Sequence, residues 1–333
     1  MTYRFGYRSY RLPLRHPLRT AHGLWAEREG LLLRLEDELG RVGYGEVAPI
    51  SWFGSETLAE AAEVCRALGD KFPAELIGAV ASRFGCVRFA LALAQETGAA
   101  AGVAASARLP VAALLPAGRA ALAALPGKIE AGFLAFKWKV GVGGVDEELG
   151  LFDDLLALLP AYARLRLDAN GAWDRRQAQR WLARCTERPV EFVEQPVAAE
   201  DEDTLLGLAG EFPVTLALDE SVVRLEDARR WQALGWPGVF VIKPSLCGPL
   251  EETKAWIEAT KADVVFSSAI ETALGRAAIL RFALGGGFTK RALGFGVGEI
   301  FGDRKWDGPI LGPLVDASCV AGHNAEELWN ALS

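Results

Sequence analysis

Residues 136–143 read FKWKVGVG, an aromatic and β-branched run that ends on a lysine and gives way to glycine. The same pattern recurs in LRLDANG (165–171), VEFVEQP (190–196), TLALDES (215–221) and VFVIKPS (239–245). Each run carries one ionisable residue where a strand would stop and a loop begin: Lys139, Asp168, Glu194, Asp219 and Lys243. They follow one another at about 24 to 29 residues, the period of a strand–helix unit in a (β/α)8 barrel, whose chemistry sits at the carboxyl ends of its strands.

The period extends in both directions. LPVAALLPAG (109–118) would be the first strand, DVVFSSAIET (263–272) the seventh and RALGFGVGE (291–299) the eighth. Amphipathic stretches between them, such as RRQAQRWLARCTE (175–187) and LEDARRWQALG (225–235), suit an outer ring of helices. The expected fold class is therefore α/β, a modified (β/α)8-type barrel over 108–302. Residues 1–107 read as an α+β capping domain. In it LLLRLEDELGRVGYGEV (31–47) forms two antiparallel strands, and helices follow over 55–72, with Ser55 as N-cap, and over 74–100. An Ala- and Gly-rich connector is expected at 98–107, and a tail, 303–333, returns to the capping domain.

The chain has 333 residues, 51% of them hydrophobic, enough for a sizeable core. Its net charge of −7 argues against a nucleic-acid-binding face. Five cysteines, odd in number and without CxxC spacing, suit reduced thiols in a reducing compartment, and a cytoplasmic enzyme is expected. No apolar run reaches the ~18–20 residues of a membrane-spanning helix. Arg4, Arg8, Arg11, Arg15 and Arg19 could suggest a transit peptide, but YRFGYRSYRLPL alternates as a half-buried strand does.

Residues i and i+2 of a strand share a face, so Lys137 and Lys139 project to one side. Mutual repulsion and partial desolvation are both expected to lower a lysine there toward the range of a general base; the alternative is a lysine snorkelling to solvent. Asp168, Glu194 and Asp219 come from three consecutive strands. Any one alone could be a helix cap, but three in phase, without a His or Cys partner, favour Mg²⁺ over zinc.

The set KWK, DANGAW, EQP, DES and KPS, in this order, resembles the enolase superfamily in its muconate-lactonizing subgroup, and the resemblance covers essentially the whole chain. It implies Asp168, Glu194 and Asp219 as Mg²⁺ ligands, with Mn²⁺ a possible substitute. It also implies Lys139 and Lys243 on opposite faces of a small carboxylate substrate, Lys137 tuning its neighbour, and Asn170 in support. Within the subgroup, SSAIETALG (267–275), LRTAHG (18–23) and Arg166 look like the o-succinylbenzoate synthases. That likeness implies syn dehydration of 2-succinyl-6-hydroxy-2,4-cyclohexadiene-1-carboxylate through a metal-stabilised enediolate, in menaquinone or phylloquinone biosynthesis.

N-acylamino acid racemization and dipeptide epimerization are the alternatives. The Asp-x-Asp characteristic of the epimerases is missing from GFGVGE. A catalytically silent barrel would show a substituted base or ligand, and none of the five is substituted. Ser267, Ser268, Gly294 and His22 are candidate substrate contacts, although strand-end serines also satisfy loop backbone. Gly294, Gly296 and Gly298 could cradle a phosphate or allow close backbone approach. Trp25, Trp52 and Phe53 could form an apolar lid or simply pack the capping domain. An oligomer is compatible with all of this.

Overall fold

The computed structural model describes residues 1–20, 23–96, 103–286, 291–309, 311–320 and 324–332. Half of the expected connector, 98–102, and His22 lie outside them. The N-terminal part is an antiparallel sheet of order β3-β2-β1-β4, with β1 (Thr2–Thr20), β2 (Gly23–Glu36), β3 (Val42–Val47) and β4 (Lys71–Pro73). The arginine-rich start is thus a strand: Tyr3, Phe5, Tyr10, Leu12 and Leu14 are buried, while Arg4, Arg11 and Arg15 are exposed.

Two helical expectations over this part need correction. The first helix runs Leu58–Leu68 and is capped by Thr57, not Ser55. Thr57 and Glu60 form a reciprocal capping box, whereas the Ser55 hydroxyl is taken by the Ile50 N–H at 2.8 Å. The single helix expected over 74–100 is two, Glu75–Ala79 and Gly85–Gln95. At Gly85 the second approaches the barrel so closely that a Cβ would lie 1.9 Å from the Leu246 carbonyl oxygen.

Short β5 (Arg108–Pro110) precedes seven parallel strands in the order β12-β11-β10-β9-β8-β7-β6: β6 (Ala113–Leu115), β7 (Ala135–Lys139), β8 (Arg164–Asp168), β9 (Val190–Glu194), β10 (Leu216–Leu218), β11 (Val239–Ile242) and β12 (Val264–Phe266). The expected first strand divides at Pro110 and Val111, because β5 turns away to pair antiparallel with β13 (Leu314–Asp316). The expected eighth strand is not regular. Leu293 and Gly294 bridge to Val111 and Ser267, and this joint closes the sheet between β6 and β12. Glycines explain the irregularity: they bring no side chains to pack, and a Cβ on Gly296 would stand 1.9 Å from the Ala112 carbonyl oxygen.

Apolar side chains of Phe192, Ala217, Val239, Val241 and Val265 fill a separate small core. Helices such as Val145–Leu158 and Arg175–Cys185 bury Phe152, Trp181 and Leu182 against the outside of the sheet. The tail returns to the capping sheet. Its helix Ala325–Asn330 lays Trp329 beneath the Arg8 guanidinium, 4.4 Å from the ring centroid, and Arg8 Nη1 donates to the Trp329 carbonyl at 2.7 Å. No helix among the described residues is long and apolar enough to cross a membrane.

Candidate active site

Parallel pairing in register sets the site. Lys139 pairs with Asp168, and Asp168 with Glu194, across β7, β8 and β9; Glu194 pairs with Ala217, two residues before Asp219. The carboxyl ends of consecutive strands therefore present their ionisable groups side by side. They open into a cavity of about 600 Å³ whose lining includes Lys137, Lys139, Asp168, Asp219 and Lys243. Asn170, Ser267, Ser268 and Gly294 line it too, so most of the residues singled out in the sequence do meet. On the capping side Trp25, Trp52 and Phe53 close over it; Trp25 and Trp52 meet edge to face at 5.4 Å, and Lys243 Nζ lies 4.1 Å from the Phe53 ring centroid.

The electrostatics depart from the expectation for the lysine pair. Burial alone would lower Lys137, but the charges of Asp168, Glu194 and Asp219 outweigh it and raise its pKa. The reason is geometric: Lys137 Nζ is 2.7 Å from both Asp168 Oδ2 and Glu194 Oε1, so it is a counter-ion of the acids. Lys243 Nζ is likewise hydrogen-bonded to Asp219 Oδ1.

Among the described residues no three acidic groups are gathered into a finished cation cage; ammonium groups neutralise them. The trio nonetheless fits a divalent ion. Burial, and then the charge of Asp168, push the Glu194 carboxyl well above the usual carboxylate range despite the pull of Lys137. Three carboxylates in so small a buried volume call for more positive charge than the two ammonium groups bonded to them carry. All the donors are hard carboxylate oxygens, the set that suits Mg²⁺.

Two residues of the expected site do not line the cavity. Arg166 does point inward, but one layer below Asp168. There it is 1% exposed, bonded through Nε to Glu191 Oε2 at 2.7 Å and stacked 4.8 Å over Phe192. A register shift between Leu165 and Arg166 leaves Glu191 without a partner on β8 and turns its carboxylate toward the arginine. Glu194 is buried behind the cavity lining. The serines are engaged as strand-end serines often are: Ser267 Oγ donates to the Gly294 carbonyl at 3.2 Å, and Ser268 Oγ to Glu271 Oε2 at 2.7 Å. A Cβ on Gly294 would stand 2.7 Å from Ser267 Oγ, so glycine there lets the serine keep its place.

Other residues that shape the site were not singled out in the sequence. The Glu148 carboxylate accepts from the N–H groups of Gly141, Val142 and Gly143 at 2.8, 3.0 and 3.0 Å, which fixes the loop after Lys139. Gln195, at φ +38°, accepts through Oε1 from the N–H groups of Asp219 and Ser221, both at 3.1 Å. Its Nε2 donates to Ser221 Oγ at 2.8 Å, so it braces β9 against the end of β10. Glu220 also lines the cavity; its Oε1 accepts from Asn170 Nδ2 at 3.0 Å, and burial and the charges of Asp219 and Asp168 push it up to about 7.

Comparison with known proteins identifies the family. The family model described as enolase C-terminal domain-like matches residues 119–286, and that described as MenC, N-terminal domain, matches residues 4–97. An o-succinylbenzoate synthase of Thermosynechococcus vestitus is 40% identical, covering 99% of both chains. The chain belongs to the o-succinylbenzoate synthase family of the enolase superfamily. It is accordingly a Mg²⁺-dependent lyase of the dehydratase kind. A solved o-succinylbenzoate synthase from Thermosynechococcus elongatus, complexed with Mg in its active site, superposes with a TM-score of 0.86. It is 38% identical over 98% of this chain and 99% of that one. Beyond the o-succinylbenzoate synthases, the L-Ala-D/L-Glu epimerase of Bacillus subtilis superposes with a TM-score of 0.77 at 19% identity, over 94% of this chain and 95% of its own, which speaks for the fold alone.

Proposed function

We propose that this enzyme converts 2-succinyl-6-hydroxy-2,4-cyclohexadiene-1-carboxylate to 2-succinylbenzoate by syn dehydration, with Lys139 as the single acid–base group. Lys139 Nζ removes the proton on the carbon bearing the carboxylate. As an ammonium it then delivers that proton to the departing hydroxyl on the same face, leaving an aromatic ring and water. Lys243, across the cavity, sets its positive charge against the opposite face. Its ammonium is fixed by Asp219 and by the Phe53 ring, so it is held in place for that role.

Mg²⁺ held by Asp168, Glu194 and Asp219 would stabilise the second negative charge that develops on the substrate carboxylate. Lys137 holds Asp168 and Glu194 in position. Trp25, Trp52 and Phe53 keep water from the reacting carbon. The observation that carries the reading is the in-register array of Lys139, Asp168 and Glu194, the first two lining a cavity that Lys243 also lines. Five cysteines without disulfides, four of them buried, support a reducing, cytoplasmic setting.

The test is conversion of the cyclohexadiene carboxylate by the purified Mg²⁺-loaded enzyme, run beside hydrogen–deuterium exchange of N-acylamino acids. Efficient dehydration is expected. Exchange of N-acylamino acids without dehydration would overturn the assignment in favour of a racemase.

A further inference from the structure

Arg28 stands on β2 at a position in phase with Gly30 and Leu32, and it is 2% exposed. A buried guanidinium ordinarily meets a carboxylate. This one meets backbone carbonyls, and they saturate its five N–H donors. Nη1 donates to the carbonyls of Glu29 at 2.8 Å and Pro49 at 2.7 Å, and Nη2 donates to that of Ala48. All three belong to the capping part. Nε donates to Ile270 O at 3.0 Å, and Nη2 reaches Ala269 O at 3.4 Å, both at the mouth of the barrel.

A second observation falls on the same spot. Ile270 has φ +61°, a left-handed conformation that a β-branched side chain adopts only when its surroundings impose it. Ile50, Ala269 and Ile270 all line the cavity, together with Ser268. One side chain thus ties the capping segment leading to Ile50 and Trp52 to the strained wall of the barrel.

We propose that Arg28 is a specificity-determining positioning residue: its guanidinium fixes the separation between the capping segment 48–50 and the wall 268–270, and so the shape of the chamber that takes the non-reacting arm of the substrate. The proposal rests on the dehydratase reading. Lys139, Asp168, Glu194 and Asp219 sit on strands Arg28 does not touch, so loosening the clamp affects binding more than chemistry. Lysine cannot replace it, because a single ammonium has three donors and no fork.

The experiment compares Arg28→Lys and Ile270→Gly with the wild-type holoenzyme, through KM, kcat and hydrogen exchange of the peptide spanning 266–273. For Arg28→Lys, KM is expected to rise about tenfold or more while kcat stays within about threefold, and the peptide exchanges faster. Ile270→Gly removes the conformational strain without removing the clamp; a rise in KM of about threefold or more is expected, with no loss of melting temperature.

Unchanged KM in both variants overturns the proposal, as does a fall in kcat at constant KM. Should Arg28→Lys fail to fold, Ile270→Gly decides by the same criterion. Should the wild-type enzyme prove unable to dehydrate the substrate, the functional assignment falls. The exchange measurement then judges the clamp alone: faster exchange supports it and an unaltered rate removes it.

Discussion

The side-chain oxygen of Gln195 accepts the backbone N–H of Asp219 at 3.1 Å, so the residue that follows one acidic group holds the next one in place. Gln195 adopts a left-handed φ of +38° to do so and is fully buried. A similar-sized apolar side chain would keep the packing and lose the brace. Gln195→Met is therefore expected to weaken Mg²⁺ binding by about 10- to 100-fold. Titrating Mg²⁺ against the melting temperature reads this without any turnover, and a wild-type dissociation constant would remove the bracing role.

Lys139→Ala and Lys243→Ala are each expected to lower kcat by at least about a thousandfold while circular dichroism and melting stay near wild type. They should differ under isotope exchange: without Lys139, exchange of the substrate α-proton stops along with product formation. Near-full activity in either variant refutes its assigned role.

Glu148 contributes one carboxylate to three loop N–H groups, a filled anion nest directly after the strand that carries Lys139. Glu148→Ala leaves three donors without their acceptor, and a loss of about 2–4 kcal/mol is expected in denaturant unfolding. Glu148→Gln, which keeps one acceptor oxygen, should recover part of that loss. Equal stability of the two variants would mean that the nest does not hold the loop.

Beneath the site, burial alone would raise Glu191, but its hydrogen bonds and charge pairing with Arg166 and Arg291 bring its pKa below the ordinary carboxylate value. Because the folded value is the lower one, ionisation of Glu191 favours the folded state. That contribution is fully present above the unfolded value near ~4.3 and is lost as pH falls through the folded value. Glu191→Gln should lower the melting temperature at pH 7, with the gap to wild type closing at pH values below ~4. A gap that stays constant through acid would show that the ion network does not supply this stability.

Chelation should abolish turnover, and added Mg²⁺ should restore it. Undiminished turnover after exhaustive chelation would count against the trio as the holder of the ion.

The strand-end placement of Lys139, Asp168, Glu194, Asp219 and Lys243 was legible in the sequence because strand-end position and βα period are local properties. Each of Asp168, Glu194 and Asp219 needed only its own strand to be placed, while the ligand role came from the resemblance. What failed to show depended on partners distant along the chain. Arg28 meets Ile270 across 242 residues, and nothing near WAEREG reveals that carbonyl, although an arginine at an inward strand position was a readable sign. Lys137 was misjudged for the same reason. Its nearest charged neighbour in sequence is a lysine, while in space it stands between Asp168 and Glu194. The eighth strand was read from spacing, yet its glycines provide only the joint at Leu293 and Gly294.

That joint has an evolutionary consequence. A wall stitched by two residues, with Ser267 and Gly294 facing each other across it, is the part of the cylinder where remodelling disturbs the least secondary structure. It also borders the chamber on the side away from the acids. Descendants of this scaffold can therefore try bulkier or differently charged cargo by altering that stretch, while the strands opposite that carry the acidic groups go on unchanged.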